Sequence, residues 1–355
     1  MRVVTAQPFY PHFERFQGYG RDRRHDTLDG GKIPILRVPT IVPKNGRVAL
    51  RALSDLNFAL QGAIRSRTRR TRSVISISPG VPWVAVVGRA FTAKGGQHLA
   101  VVHDVQSGLA SSLGLLPGGL ASVLGRLERA GLERADHVTA LTEEMVCELR
   151  RLGVRRPMSV TPLWATVRAD PALVTDGPVS VQYSGNFGAK QGVAILADIA
   201  AELRRRAPDL PLVLRGAGPK FDDLRSVLRG DGVTFEPPVE HEELPLALAK
   251  SAIHLVLVSS GSGQFALPSK VVNTLAVGSL VVAMADAGSP LHRIGEQMRG
   301  LTTVPVGDVD RLVDAVVRLA RDPHLRHRRL ESQQQAALTF DRDCALGALE
   351  ARLAQ

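Results

Sequence analysis

Pro268, Ser269 and Lys270 head an apolar helical pattern that breaks at Gly278 and leads into an apolar run at 280–283. Proline in a first helical turn costs little, because its missing N–H would have no intrahelical partner. A hydroxyl, a cation and unpaired backbone N–H groups then share the positive end of a helix dipole, where a phosphate can be held. A second constellation, Tyr183-Ser-Gly-Asn-Phe-Gly-Ala-Lys-Gln-Gly192, follows a strand pattern and opens a helical one. There Gly185 and Gly188 let a backbone approach an anion and Lys190 adds charge. The same residues also suit an ordinary strand-to-helix turn with a solvated lysine. Arg215-Gly-Ala-Gly-Pro219 closes another strand pattern. Gly216 and Gly218 either admit a base or sugar against the backbone or form a compact turn. The three turns share one placement, the carboxyl end of a strand, which is the edge along which open α/β sheets take ligands.

The elements that position these turns fall into two sets. Strand patterns at 3–5, 35–38, 74–77, 98–102 and 138–141 alternate with helical patterns at 48–64, 119–130 and 143–152, the last stopped by Gly153. Pro34 and Pro39 bracket the second strand and predict a short or edge position for it. Such alternation predicts a parallel sheet covered on both faces. Residues 166–178 lack periodicity, carry Pro171 and Pro178, and read as a linker. Strands at 179–184, 211–215, 233–235, 253–258 and 280–283, with helices at 193–206, 221–228, 244–249 and 310–320, form a second doubly wound unit. The predicted organisation is a Rossmann-like domain over 1–165, a linker over 166–178, a second domain over 179–335, and a C-terminal helix over 336–355 that packs back on the first.

Composition limits the partners. The 355 residues suffice for two domains with separate cores, and 44% hydrophobic with 22% charged residues is the balance of a soluble globular protein. The net charge of +11, mostly from arginine, favours anionic partners such as nucleotides, acidic lipids or polyprenyl phosphates. Nucleic acid is disfavoured, because aromatic content is 4% and no reader motif occurs. A bilayer-spanning run and a cleavable leader are both missing from the pattern, which predicts a cytoplasmic protein. Cys147 and Cys344 are far apart and without metal-ligand spacing, as for reduced thiols. Arg65, Arg67, Arg69, Arg70 and Arg72 end an amphipathic pattern containing Leu53, Leu56, Leu60 and Ile64. This cluster either docks peripherally on an anionic membrane surface, each cation contributing about 1 kcal/mol, or is a solvated helix end complementing its own dipole.

Y-S-G-N-F-G-A-K-Q-G, L-V-L-R-G-A-G-P and L-P-S-K-V-V-N-T-L-A-V-G-S-L-V-V-A, in this order, resemble the nucleotide-sugar domain of family 4 glycosyltransferases of the GT-B fold, in particular bacterial colanic-acid and exopolysaccharide types. V-V-T-A-Q-P-F-Y-P, V-V-H-D-V and L-E-R-A-G-L-E-R-A-D-H-V-T-A-L-T resemble the acceptor domain of the same family. The resemblance covers essentially the whole chain. It implies two doubly wound Rossmann-like domains facing a central cleft, and retaining transfer of a sugar from a nucleotide donor to a lipid-linked or saccharide acceptor in cell-surface polysaccharide synthesis. It implies that Gly185, Lys190, Ser269 and Lys270 line the diphosphate and that Gly216 and Gly218 border the base. His103 would face the donor sugar, its other reading being a hydrogen-bonded loop histidine.

The family's Glu-x7-Glu pair is absent. Asn273 stands at the second position, where it would meet the ribose, and Gln264 or Phe265 lies near the first. Asn186 occupies a position that is often basic in the family. No metal and no cofactor beyond the nucleotide-diphosphate sugar is expected, since Lys190, Lys270 and helix N-termini would meet the diphosphate charge. In the family a strand, a glycine-rich turn and a helix ordinarily precede the segment matched by residues 1–9, so either a late-assigned start or a truncated enzyme is expected. The competing readings are a non-catalytic nucleotide-sugar-binding scaffold and a sugar-nucleotide epimerase.

Overall fold

The structure is a computed structural model that describes every residue except 10–13, 21–24, 29, 44–47, 67–69, 79–82, 169, 175–178, 189–191, 229–231 and 354–355. Its first half holds β1 (Val3–Ala6), β2 (His25–Leu28), β3 (Ile33–Val38), α1 (Val48–Ser66), β4 (Thr71–Ser78), α2 (Trp83–Phe91), β5 (Thr92–Val102), α3 (Gln106–Ser112), α4 (Gly118–Leu132), β6 (His137–Ala140), α5 (Glu143–Arg151) and β7 (Met158–Val160). The strands form two sheets, a parallel β4-β5-β6-β7 and a three-stranded β1-β3-β2 in which β2 runs antiparallel to β3.

Two readings of the sequence change here: the single parallel sheet expected of the first half is divided into two, one of them mixed, and the strand expected at an edge is not at one. β3 is the central strand of its sheet rather than an edge. Pro34 is tolerated because β1 pairs only with Ile35 to Val38, leaving the proline beside β2 alone. Strand β2 gave no apolar alternation to read, because its residues are mostly exposed.

Helix α5 illustrates how local chemistry sets an element. The Thr142 side chain accepts from the Met145 N–H, Glu143 and Glu144 occupy the first turn, and Arg150 and Arg151 the last. Gly153, at φ 93°, then takes the left-handed turn that releases the chain.

The second half holds β8 (Val181–Asn186), α6 (Leu196–Arg206), β9 (Leu212–Ala217), α7 (Phe221–Val227), β10 (Val233–Glu236), α8 (Leu244–Ala249), β11 (Ile253–Val256), α9 (Lys270–Ala276), β12 (Leu280–Met284), α10 (Pro290–Gln297), β13 (Leu301–Val304), α11 (Val309–Ala320), α12 (Leu325–Thr339) and α13 (Arg342–Leu353). Its six strands form one parallel sheet in the order β10-β9-β8-β11-β12-β13. Winding reverses between β8 and β11, which opens a crevice at their carboxyl ends.

The buried residues of the sheets are mostly apolar, with Ser76, His98, Thr139, Gln182, Arg215 and His254 among the polar exceptions in the described strands. One cluster runs from Val102, Val138 and Met145 of the first half into Val256, Val271 and Val281 of the second. Each such residue, fully buried, contributes about 1.5–3 kcal/mol. Another cluster fills the far side of the six-stranded sheet. Helix α13 returns to the first half, setting Leu349 against Leu99 and Val101 of β5. The backbone N–H of Ala165 donates to the Phe340 carbonyl at 3.2 Å, joining the chain crossing to the helix pair.

Candidate active site at the sheet switch point

The turns after β8 and β9 lie side by side. Gly185 pairs with Gly216 and Asn186 with Ala217. A Cβ on Gly216 would sit 1.8 Å from the Gly185 carbonyl oxygen, and φ there is +146°. Only glycine fits so close an approach. Gly218 is similarly confined, with Asn186 Oδ1 2.5 Å from where its Cβ would stand. Phe187 N–H donates to the Ala217 carbonyl at 2.9 Å, and Lys220 N–H to the Phe187 carbonyl at 3.1 Å, which locks the two turns together. Beneath them Tyr183, Phe187, Phe221 and Phe235 form an edge-to-face series with centroid spacings of 5.1, 4.9 and 5.6 Å. The Tyr183 hydroxyl donates to the Asn186 carbonyl at 2.9 Å and fixes the turn after β8 from below.

Lys270, the first residue of α9, reaches over these turns. Its Nζ lies 3.8 Å from the centroid of the Tyr183 ring. A Cβ on Gly185 would stand 3.9 Å from the same nitrogen. The ammonium is buried and has no hydrogen-bond partner among the described residues. A tyrosine face returns roughly 0.5–2 kcal/mol to a cation, less than burial removes, so the pKa falls to about 7. An unpartnered cation beside a glycine turn is chemically suited to meet an anion. Ser269, just before it, is exposed and its side chain caps no helix N–H. Lys190, the other cation of the sequence reading, lies outside the described residues.

The buried arginines Arg215 and Arg329 have other duties. Arg215 donates to the Ala247 carbonyl at 2.6 Å and pairs with Glu236. Arg329 donates to the carbonyls of Gly278 at 3.1 Å and Ala249 at 3.3 Å. Both guanidiniums therefore close the C-terminal end of α8.

Asn273, one turn into α9, faces the chain crossing. Its Oδ1 accepts from the Thr166 N–H at 2.8 Å and hydroxyl at 3.2 Å, and its Nδ2 lies 3.0 Å from the Thr166 Oγ1. The carboxamide is thus engaged with residue 166, a partner that sequence spacing gives no means of finding.

His103 follows β5 directly and is half-buried. Burial lowers its pKa, with the Asp104 carboxylate opposing. The turn it begins meets the second half of the chain. Asp104 makes an antiparallel bridge to Ala266, and the Val105 N–H donates to the Phe265 carbonyl at 2.8 Å. The Phe265 ring covers Gly108 so closely that a Cβ there would lie 2.2 Å from it. The loop leading into Lys270 therefore rests on the turn that carries His103. That loop is braced on its other side by Asp286, whose Oδ2 accepts from the Gly261 N–H at 2.8 Å. Among the described residues no group of three or more His, Cys, Asp or Glu side chains is placed to hold a metal.

Of the basic cluster after α1, Arg67 and Arg69 lie outside the described residues. Arg70 and Arg72 are exposed, while Arg65 bonds the Gln61 carbonyl at 3.1 Å. Leu53, Leu56, Leu60 and Ile64 are exposed along α1. No helix among the described residues is long and apolar enough to cross a membrane.

The family described as "Glycosyl transferase 4-like domain" matches residues 1–164, and that described as "Glycosyl transferases group 1" matches residues 178–322. A protein of Escherichia coli (strain K12) named as a colanic acid biosynthesis glycosyl transferase, WcaI, is 27% identical over 325 residues, 85% of this chain and 79% of that one. The alpha-D-kanosaminyltransferase of Streptomyces kanamyceticus is 31% identical over 161 residues, 44% of this chain and 40% of that one. Among solved structures, sucrose-phosphate synthase from Thermosynechococcus elongatus superimposes with a TM-score of 0.73 at 18% identity, covering 99% of this chain and 88% of that one. Anabaena HepE in complex with UDP and glucose does so with a TM-score of 0.69 at 16% identity, covering 100% of this chain and 99% of that one. At these identities the structural likeness speaks to the fold.

Proposed function

From the premise that this chain belongs to the family 4 glycosyltransferases and has their GT-B fold, we propose that it moves a hexosyl-type sugar from a nucleotide-diphosphate donor to a lipid-linked or saccharide acceptor, with retention, in the assembly of a cell-surface polysaccharide. The observation that carries the donor half of this reading is the buried, unpartnered ammonium of Lys270 beside the Gly185 turn.

On this reading residues 179–335 hold the donor, residues 1–165 present the acceptor, 166–178 link them and 336–355 return to the first domain. Lys270 and Lys190 neutralise the diphosphate without a metal, backbone at Gly185, Asn186 and Ser269 approaches it, and Gly216 with Gly218 borders the base. Asn273 serves the ribose only by sharing its carboxamide with Thr166. His103 presents its imidazole to the sugar from across the seam at Phe265, and the closed seam keeps water from the anomeric carbon. The UDP named in the HepE structure supports a uridine donor as the first probe. The colanic acid pathway in the name of the E. coli relative supports the polysaccharide assignment.

The exposed apolar stripe of α1 beside Arg65, Arg70 and Arg72 supports peripheral attachment to an anionic cytoplasmic membrane face. Titration calorimetry with UDP and GDP tests the donor site. Lys270→Ala is expected to weaken binding by more than about tenfold, and unchanged affinity would remove Lys270 from the site.

A further inference from the structure

We propose that Glu128 is a positioning residue for the acceptor-side turn, its carboxylate fixing residues 103–107 and through them both His103 and the seat of Phe265. The proposal rests on the reading above that sets His103 beside the donor sugar.

Glu128 lies in α4 and is only 4% exposed. Its Oε1 accepts from the Gln106 N–H at 2.9 Å, and its Oε2 from the Ser107 N–H at 3.1 Å and the Ser107 hydroxyl at 2.6 Å. Val105, the residue before α3, has no side chain able to cap that helix. A carboxylate from a neighbouring helix therefore does what an N-cap residue ordinarily does.

The consequence reaches beyond α3. With the N–H groups of Gln106 and Ser107 tied to Glu128, the Val105 N–H is left to point across the seam to the Phe265 carbonyl at 2.8 Å. Gly108 is then presented beneath the Phe265 ring. On the other side of Val105, Asp104 is held in its bridge to Ala266, and His103 follows directly from β5. One buried group thus sets the direction of the turn on which both halves of the molecule meet.

The chemistry calls for a carboxylate. Three donors converge on two oxygens, and a glutamine in the same place would aim an NH2 group at one of them. Burying a charged carboxyl is costly: desolvation raises its pKa above the ordinary carboxylate value, and the three bonds offset that rise only in part. A buried charge is poor support for stability alone, whereas it does enforce one turn geometry.

Amide hydrogen exchange on the full chain reads this positioning without turnover. Glu128→Gln is expected to speed exchange about tenfold or more at Val105, whose N–H bonds Phe265 and not Glu128, while β6 and β12 keep their protection. With whichever of UDP-glucose, UDP-N-acetylglucosamine and GDP-mannose the wild-type chain hydrolyses, kcat is expected to fall at least about tenfold with KM for that donor within about twofold. Ser107→Ala, which removes one bond of the three, shifts both readouts less in the same direction and serves alone if Glu128→Gln does not fold. Val154→Ala, a core change elsewhere in the domain, is expected to lower the melting temperature and leave kcat in place. Unchanged exchange at Val105, or an equal loss of kcat in Val154→Ala at matched melting temperature, would overturn the proposal. A wild-type chain that hydrolyses none of the three donors counts against the glycosyl-transfer reading, and the exchange at Val105 then decides the role of Glu128 by itself.

Discussion

The Lys270 ammonium sits 3.8 Å from the centroid of the Tyr183 ring and has no hydrogen-bond partner among the described residues. Charge buried in this way is a cost to the free protein that an anionic ligand would offset. Lys270→Met, which keeps the volume and removes the charge, is therefore expected to stabilise the free chain by about 1–3 kcal/mol while abolishing stabilisation by UDP. Thermal melts with and without UDP read both effects. A variant that melts lower and still responds to UDP would contradict this account.

The same lysine is expected to make donor binding pH-dependent. Its pKa is about 7 in the free protein, and a diphosphate alongside would raise it, so binding takes up a proton from pH 7 upward. Affinity for UDP is expected to fall as pH rises from 7 to 9. Calorimetry in buffers of different ionisation enthalpy measures the uptake. For stability the sign is opposite. Between about 7 and the ordinary lysine value of 10.5 the unfolded chain binds the extra proton, so the stability of the free protein gains with rising pH across that window. Lys270→Met should remove both dependences.

Gly216→Ala is expected to destabilise by more than about 3 kcal/mol, because the added carbon would lie 1.8 Å from the Gly185 oxygen at a φ of +146°. Gly119→Ala is the control. It lies in α4 with nothing within 4 Å of the new carbon, and a gain of up to about 1 kcal/mol is expected. Urea denaturation compares the two. Similar losses in both would mean that the Gly185–Gly216 contact does not confine the turn.

Gly108→Ala would push a carbon to 2.2 Å from the Phe265 ring. The seam is expected to open, with a larger radius of gyration in X-ray scattering and lower donor hydrolysis. Adding Phe265→Ala removes the clash, so the double variant should recover compactness relative to Gly108→Ala alone. Independent, additive effects would show that ring and glycine do not meet in solution.

Much of this site is written in short-range patterns, and the rest is not. The glycines at 185, 216 and 218 and the Pro-Ser-Lys helix start are local signals, and the fold gathers them at one crevice because β8 and β9 are neighbours in register. Glu128 lies 21 residues from Ser107 and Asn273 lies 107 from Thr166, so neither partner follows from periodicity. The Tyr183 ring beneath Lys270 has the same character, since a strand pattern marks tyrosine as core without saying what rests on its face. Helix α2 is not legible because its nine-residue run W-V-A-V-V-G-R-A-F is short and mostly apolar, and a run of that kind suits a buried strand as well as a helix. Helix α10 did carry a signal, the Ser289 cap before Pro290, that the apolar pattern did not emphasise.

Helix α9 bears Lys270 at its first residue and Asn273 one turn later. Since Asn273 is tied to Thr166, the crossing between the two halves is anchored on the element that carries the charge. A change at Thr166 would therefore reach the helix that starts at Lys270 through one carboxamide.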